Sequence, residues 1–333
     1  MNSPKRVISI WLLSGCFLIF CMVIIGGITR LTGSGLSITE WKPIMGAIPP
    51  MNDKEWEDAF SLYRQIPQFE KINSHFTLVE FKSIFWWEYA HRLLGRIIGL
   101  VFVIPFLWFY FRGMFDNKTI RKALFLFFLG ALQGVVGWLM VKSGLTERTS
   151  VSHIRLAIHL LTAFITFGFT FYFALELLTK KPQSAGRFSG YAITLFFLVT
   201  LQIIYGAFVA GLHAGKMYNT YPLMNGNLIP EGLFYLDPDW INFFDNPVMI
   251  QFIHRMLAAI IVLFTFFIWF KWKYFQLNEK QKRGIKFFSI ALGIQFLLGV
   301  FTLLTGVDIT LALLHQGSAF MLFSSCVYLI FIS

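Results

Sequence analysis

Eight runs of predominantly apolar residues, near 7–28, 86–111, 120–141, 153–178, 190–210, 248–270, 284–305 and 309–332, take up most of this chain. Each is close to the roughly 20 residues a helix needs to cross the hydrocarbon of a bilayer. A backbone can lie in lipid only when it closes its own hydrogen bonds. With 56% apolar residues, 40 phenylalanines among 333 positions and a mean hydropathy of +0.65, the chain has too little polar surface for a soluble globule of its length. The expected fold class is an all-α integral membrane protein with eight transmembrane helices.

The net charge of +11 would suggest nucleic acid in a soluble protein, but here the basic residues sit in short connections between spans. Lys5 and Arg6, then Arg112, Lys118, Arg121 and Lys122, then Lys180, Lys181 and Arg187, and finally Lys271, Lys273, Lys280, Lys282, Arg283 and Lys286 fall on one side when eight spans are drawn. The positive-inside rule therefore places both termini in the cytoplasm. The long segment 29–84, whose bases are balanced by Glu40, Asp53, Glu55, Glu57, Asp58, Glu70 and Glu80, faces outward. The run 7–28 is longer than the apolar core of a secretory signal and lacks a small-residue cleavage site after it, so it reads as the first span. Cys16, Cys21 and Cys326 lie within spans and are expected to be packing residues.

The outer segment contains Gly33-Ser34-Gly35, Pro43 and Pro49-Pro50, then Asn52-Asp53 ahead of a stretch that places Trp56, Phe60 and Tyr63 on one face. A short helix capped by Asn52 or Asp53 and lying on the outer membrane surface is expected there. Residues 211–246 take the same place in the second half, and their Gly, Pro, Tyr and Asn content marks a loop. The halves correspond: Gly26 with Gly206, Gly35 with Gly215, Pro43-Ile44-Met45 with Pro222-Leu223-Met224, and Gln133-x-x-x-Gly137 with Gln295-x-x-x-Gly299. This is a tandem duplication. It predicts two pseudo-symmetric four-helix bundles, an N-terminal half over 1–179 and a C-terminal half over 190–333, joined by a cytoplasmic linker over 180–189. An even number of spans gives both the same orientation.

His91, His159, His254 and His315 stand inside the second, fourth, sixth and eighth spans, each followed four residues later by Gly95, Ala163, Ala258 or Ala319. Imidazole is costly in a lipid-facing segment and marks a functional position. The arrangement repeats: Glu88-Tyr-Ala-His91-Arg92 returns as Gln251-Phe-Ile-His254-Arg255, and Ile158-His159-Leu160 as Leu314-His315-Gln316. Similar distances from the outer helix ends set all four at one shallow depth. The two imidazoles of each half can then face each other and ligate the iron of a porphyrin held between helices. The small residue at i+4 shares the histidine's face and either admits the porphyrin edge or marks helix packing. Zinc is the rival metal, but no tight cluster of His, Cys and carboxylate offers it a tetrahedral shell. His75, His153 and His213, in loops or at a helix mouth, are expected to be packing residues.

Glu88 has no charged counterpart, because Gln251 stands in its place beside His254. Either it pairs structurally with Arg92, or it makes the first pocket reactive and leaves the second a redox or structural site. Arg92, Arg96 and Arg255 lie near the outer interface, where they bind carboxylates such as heme propionates or snorkel to the surface. Gln133 and Gln295 are expected to bond helix to helix.

The runs Glu88-Tyr-Ala-His91-Arg92-Leu-Leu-Gly95-Arg96, Gln133-Gly134-x-x-Gly137-Trp138, Phe252-Ile253-His254-Arg255 and Leu314-His315-Gln316, with His159 and the outer stretch from Glu55-Trp56 to Trp87-Glu88-Tyr89, resemble the heme A synthase family, in particular its alphaproteobacterial and mitochondrial branch. The resemblance extends from the first span to the last. It implies an oxidoreductase acting on a CH group, which oxidises the C8 methyl of heme O to a formyl group by successive hydroxylations with water-derived oxygen, for cytochrome oxidase biogenesis. It further implies that His91 and His159 hold the substrate heme, that Glu88 assists there, and that His254 and His315 ligate a permanent heme b. Glu88, His91 and His159 are thus the candidate catalytic residues, and His254, His315, Arg255 and Arg92 the candidate cofactor-binding residues. The partners compatible with this reading are heme O, the lipid bilayer, an electron acceptor of unassigned identity, the upstream heme O synthase by direct contact, and further copies of the same chain; nucleic acid is not among them. Some members of the family carry a cysteine pair in the outer loop, and this chain has none there, which argues against a thiol relay. The rival expectation is a diheme b-type, quinol-oxidising electron-transfer cytochrome, which has no evident need for a carboxyl in only one pocket. A repeat-symmetric transporter ranks last, since the polar residues gather on the outer side rather than at midplane.

Overall fold

The structure, a computed structural model, describes residues 4–41, 45–146, 148–179 and 188–333. Lys180, Lys181 and Arg187 of the expected linker, and Pro43 and Ile44 of the repeat, lie outside the described residues. The helices are α1 Pro4–Leu31, α2 Asp53–Tyr63, α3 Leu78–Phe111, α4 Asn117–Lys142, α5 His153–Leu178, α6 Phe188–Gly211, the one-turn α7 Asn242–Asp245, α8 Pro247–Phe270, α9 Glu279–Leu304 and α10 Ile309–Ile332. All but α2 and α7 are long and apolar enough to cross a membrane, which makes eight such helices among the described residues. The protein is an all-α membrane protein.

Short polar side chains start these helices by accepting from backbone N–H groups that have no intrahelical partner. Asp116 accepts from Thr119 at 2.7 Å ahead of α4, Asn246 from Val248 at 2.9 Å ahead of α8, and Asp308 from Leu311 at 3.0 Å ahead of α10. At the other end, α3 and α9 stop on Gly113 and Gly306, whose φ values of 62° and 67° are left-handed. There the chain closes back with Met114 N–H on Phe109 O at 3.0 Å and Val307 N–H on Thr302 O at 2.8 Å.

Helix α3 begins at Leu78, well before the residue near 86 where its apolar run starts. Its 34 residues at about 1.5 Å each reach well beyond the roughly 30 Å of bilayer hydrocarbon. The early start is set by Glu80, whose carboxylate accepts from the Thr77 N–H at 2.5 Å and hydroxyl at 2.7 Å. The added turns carry Phe81, Ile84 and Phe85, and α2 lays Trp56, Phe60 and Tyr63 against them. Ring centroids lie 5.0 Å apart for Phe60 and Phe81 and 4.9 Å for Trp56 and Phe85. Asn52 caps α2 as its sequence suggests, accepting from Glu55 N–H at 3.0 Å. The aromatic face assigned above to the membrane surface is instead buried against protein. Tyr63 is fully enclosed; its hydroxyl donates to Gln68 at 3.2 Å and accepts from Asn73 at 2.7 Å. Burial lifts this phenol above the usual tyrosine range and keeps it a neutral donor. Gln68 in turn donates to Gly33 O at 2.9 Å, which ties this aromatic cluster to the segment that follows α1.

The segment 211–246 is largely irregular, in line with its composition, and is held from within by buried amides. Asn246 donates to Gly232 O and Leu233 O, and Asn242 to Leu236 O, so the loop's carbonyls are satisfied away from water. The chain clusters into two compact units, Ser14–Thr166 and Met1–Leu13 with Phe167–Ser333. Within the latter, Phe167 of α5 packs on Phe320 of α10 at 4.1 Å between centroids, and Phe323 on Phe196 of α6 at 5.4 Å.

Candidate functional site

Each of the four matched histidines is seated in a notch made by a glycine on the preceding span. In the Ser14–Thr166 unit, a Cβ built on Gly26 of α1 would lie 3.2 Å from Nε2 of His91 on α3, and one on Gly137 of α4 would lie 2.9 Å from Cε1 of His159 on α5. In the other unit the distances are 3.2 Å from Gly206 of α6 to Cε1 of His254 on α8, and 2.8 Å from Gly299 of α9 to Cε1 of His315 on α10. Carbon atoms essentially never sit within 3.0 Å in this way, so no larger residue fits at Gly137 or Gly299 without moving the ring. His91 and His159 lie within electrostatic reach of one another, as do His254 and His315. All four histidines are half-buried as residues.

Glutamines stand beside three of these rings. The amide nitrogen of Gln133 lies 3.2 Å from Nδ1 of His159 and donates to that residue's carbonyl at 3.0 Å, while Thr162 donates to the amide oxygen at 2.5 Å. In the matching place, Gln295 approaches Nε2 of His315 at 3.4 Å, Ser318 donates to the Gln295 amide oxygen, and Nδ1 of His315 is 3.2 Å from the Gln295 carbonyl. The helix-to-helix bonding expected of both glutamines is therefore present, with a histidine as its partner. Gln202 approaches Nε2 of His254 at 3.4 Å. Sequence reasoning passes over Gln202, although Gln202-x-x-x-Gly206 repeats the spacing of Gln133-x-x-x-Gly137. Nδ1 of His254 is buried and has no hydrogen-bond partner among the described residues.

Glu88 is 3% exposed and accepts four hydrogen bonds. Oε1 takes Nε and Nη2 of Arg92 at 3.0 and 2.6 Å; Oε2 takes the Ser37 hydroxyl at 2.8 Å and the Ile38 N–H at 2.9 Å. Arg92 also donates to Ile38 O at 2.6 Å and Glu40 O at 2.9 Å. A buried carboxylate is tolerable when its charge is paired and its lone pairs are occupied. In the other unit Gln251 donates to Tyr218 O at 3.0 Å, and Arg255 donates to Tyr218 O at 2.8 Å and Thr220 O at 2.9 Å. Both units thus use the residues three before and one after the histidine to hold a loop. Only one does so with an ion pair; in the other, Gln251 Oε1 and Arg255 Nε have no hydrogen-bond partner among the described residues.

Beside the ion pair lies a cavity of about 200 Å³ lined by Glu40, Trp41, Arg92, Trp138 and Lys142. Its two cations lie over indole rings, Arg92 at 5.9 Å from Trp41 and Lys142 at 5.3 Å from Trp138. The remaining histidines join neither pair: His153 opens α5 and is buried, His75 packs edge-on to Phe76, and His213 sits at a left-handed position after α6. Among the described residues no three His, Cys, Asp or Glu side chains converge. Cys16, Cys21 and Cys326 form no disulfide.

Residues 9–327 match the protein family described as "Cytochrome oxidase assembly protein". The chain is 46% identical over 327 residues to a protein of Nitrosomonas eutropha named heme A synthase, covering 96% of this chain and 92% of that one. Proteins of the same name from Parvibaculum lavamentivorans and Flavobacterium psychrophilum are 45% identical over 328 residues and 44% over 333; each match covers 98% of this chain, and 94% and 98% of the respective relatives.

Proposed function

The chain belongs to the cytochrome oxidase assembly protein family, and on that premise we propose that it converts heme O to heme A, oxidising the C8 methyl to a formyl group by successive hydroxylations with water-derived oxygen. The observation that carries the reading is the repeated pair of notched imidazoles, with a carboxylate and guanidinium pair beside one pair only. Paired imidazoles suit a planar iron porphyrin, and the glycine notches let each ring lie deep against its neighbouring helix. His91 and His159 would hold the substrate heme, and His254 and His315 a resident heme b. Bound there, heme b supplies one-electron redox chemistry.

Glu88 and Arg92 hold residues 37–40 in place beside His91, and the Glu88 carboxylate would take a proton from water at this site when one of its four present donors gives way. Arg255, with Nε unpartnered among the described residues, is proposed to bind a propionate of heme b, and Arg92 to face the substrate's propionates across the cavity it lines with Lys142. A substrate with a long isoprenoid tail enters most readily sideways from the bilayer. The basic connections support cytoplasmic termini in the cell inner membrane with both heme sites near the outer face. The domain division proposed is the duplicated one, 1–179 and 190–333 about a linker over 180–189. Electrons leave to an external acceptor; heme O synthase and further copies of the chain are proposed contacts.

The test is the heme inventory of protein purified from cells that also make heme O. Heme O or heme A alongside heme B is expected; heme B alone would favour a diheme cytochrome, and absence of porphyrin would end the proposal. The notches give a second check. Gly299→Ala drives a methyl into the His315 ring and is expected to cut heme B per protein by at least about tenfold, the loss typical of disturbing a ligand's support. A parent-like heme B content in that variant would show that the notch does not matter.

A further inference from the structure

Resting on the proposed function, we propose that Gln251 is a specificity-determining residue of the second pocket: as an amide where its counterpart is a carboxylate, it leaves the Arg255 guanidinium without a countercharge and so able to retain a heme by its carboxylate. Glu88 and Gln251 stand at matched places, each three residues before a histidine and four before an arginine, and so on a helix face shared with both. The two arginines also do the same structural work. Arg92 donates to the carbonyls of Ile38 and Glu40, and Arg255 to those of Tyr218 and Thr220. The halves differ in charge.

Arg92 gives Nε and Nη2 to Glu88 Oε1, and its positive charge is balanced 2.6 Å away. Arg255 and Gln251 instead end on one oxygen, Tyr218 O, at 2.8 Å from Nη2 and 3.0 Å from the amide nitrogen. Their heads adjoin without bonding each other. Nε of Arg255 and Oε1 of Gln251 are both buried and have no hydrogen-bond partner among the described residues. No carboxylate among the described residues pairs with Arg255, whose bonds are to the two loop carbonyls.

A guanidinium stays charged at every pH a protein meets, and carbonyl groups occupy its N–H groups without cancelling that charge. A half-buried cation left in this state is stabilised by an anion that supplies lone pairs of its own. Gln251 lies one turn before His254, so the unbalanced group borders the proposed heme b. In the first unit the arginine is already paired, and an arriving carboxylate meets no net charge there. A substrate that must leave as product faces a neutralised pair, while a heme that stays faces an unbalanced cation.

The experiment loads purified full-length protein with heme B or with its dimethyl ester and follows the transfer of each to excess apomyoglobin. His91→Ala and His254→Ala variants assign each kinetic phase to its pocket. The parent's second pocket is expected to lose the ester faster than the diacid by about tenfold or more, the worth of one hydrogen bond to a charged group. Gln251→Glu rebuilds the ion pair of the first unit and should abolish that preference by speeding loss of the diacid. Gln251→Met, which gives up the bond to Tyr218 O but leaves the charge unbalanced, should keep it. In the reverse sense, Glu88→Gln unpairs Arg92 and should raise the preference for the diacid in the first pocket; this variant decides if Gln251→Glu does not fold. A preference as strong in Gln251→Glu as in the parent, or lost equally in Gln251→Met, overturns the proposal while leaving the assigned function standing. Parent protein that carries no heme at His254 and His315 overturns both.

Discussion

Glu88→Gln is expected to leave heme bound at both histidine pairs while lowering heme A formation by at least about a hundred-fold, the smaller end of what a positioned acid–base group contributes, with partly oxidised heme accumulating. The amide keeps the shape of the side chain but offers one acceptor oxygen where the carboxylate offers two. At least one of the present donors, the Ile38 N–H, the Ser37 hydroxyl or the Arg92 guanidinium, would then face an NH₂ group. Arg92 would also lose its countercharge; breaking such a pair costs about 3–5 kcal/mol, spent mostly on loosening residues 37–40. Heme retention should survive, because Gln251 shows that the fold accepts an amide at this place, bonded to a loop carbonyl at 3.0 Å. Extracted hemes from cells expressing the variant provide the readout. Undiminished heme A would remove Glu88 from the chemistry and leave it a loop anchor.

The second large effect belongs to the other pair. His254→Ala or His315→Ala should abolish the b-type absorbance of the resident heme, because each removes one of two facing ligands and leaves a glycine opposite a methyl. The loss should exceed the about 10–100-fold weakening that follows from disturbing a ligand's support alone. Heme O or heme A should still be extractable from the same preparation, since His91 and His159 lie in the other compact unit. A variant spectrum indistinguishable from the parent would refute the assignment of these two ligands. A preparation emptied of every heme would show instead that the resident heme is needed for the fold.

How much of this could be read without coordinates depends on the range of the interaction involved. The caps at Asn52, Asp116 and Asp308 and the glycine stops at Gly113 and Gly306 are local, decided within a few residues. The four histidines were visible because the chain states the pattern twice. The aromatic face of α2 was equally visible, yet its partner was not: amphipathicity names a face to be covered and does not say whether lipid or another helix covers it. Gln202 escaped notice for the same reason, since its meaning lies in a histidine on a different helix.

The sequence by itself determined eight membrane-length helices and the family, because apolar length and backbone self-satisfaction act along the chain. Only the tertiary structure decided that each imidazole rests in a neighbour's glycine notch, that Glu88 is tied by four donors to Arg92 and residues 37–38, and that one ring of four lacks an amide beside it. Those facts depend on which helix faces meet and at what height, and in lipid that choice is made by close packing and interhelical hydrogen bonds.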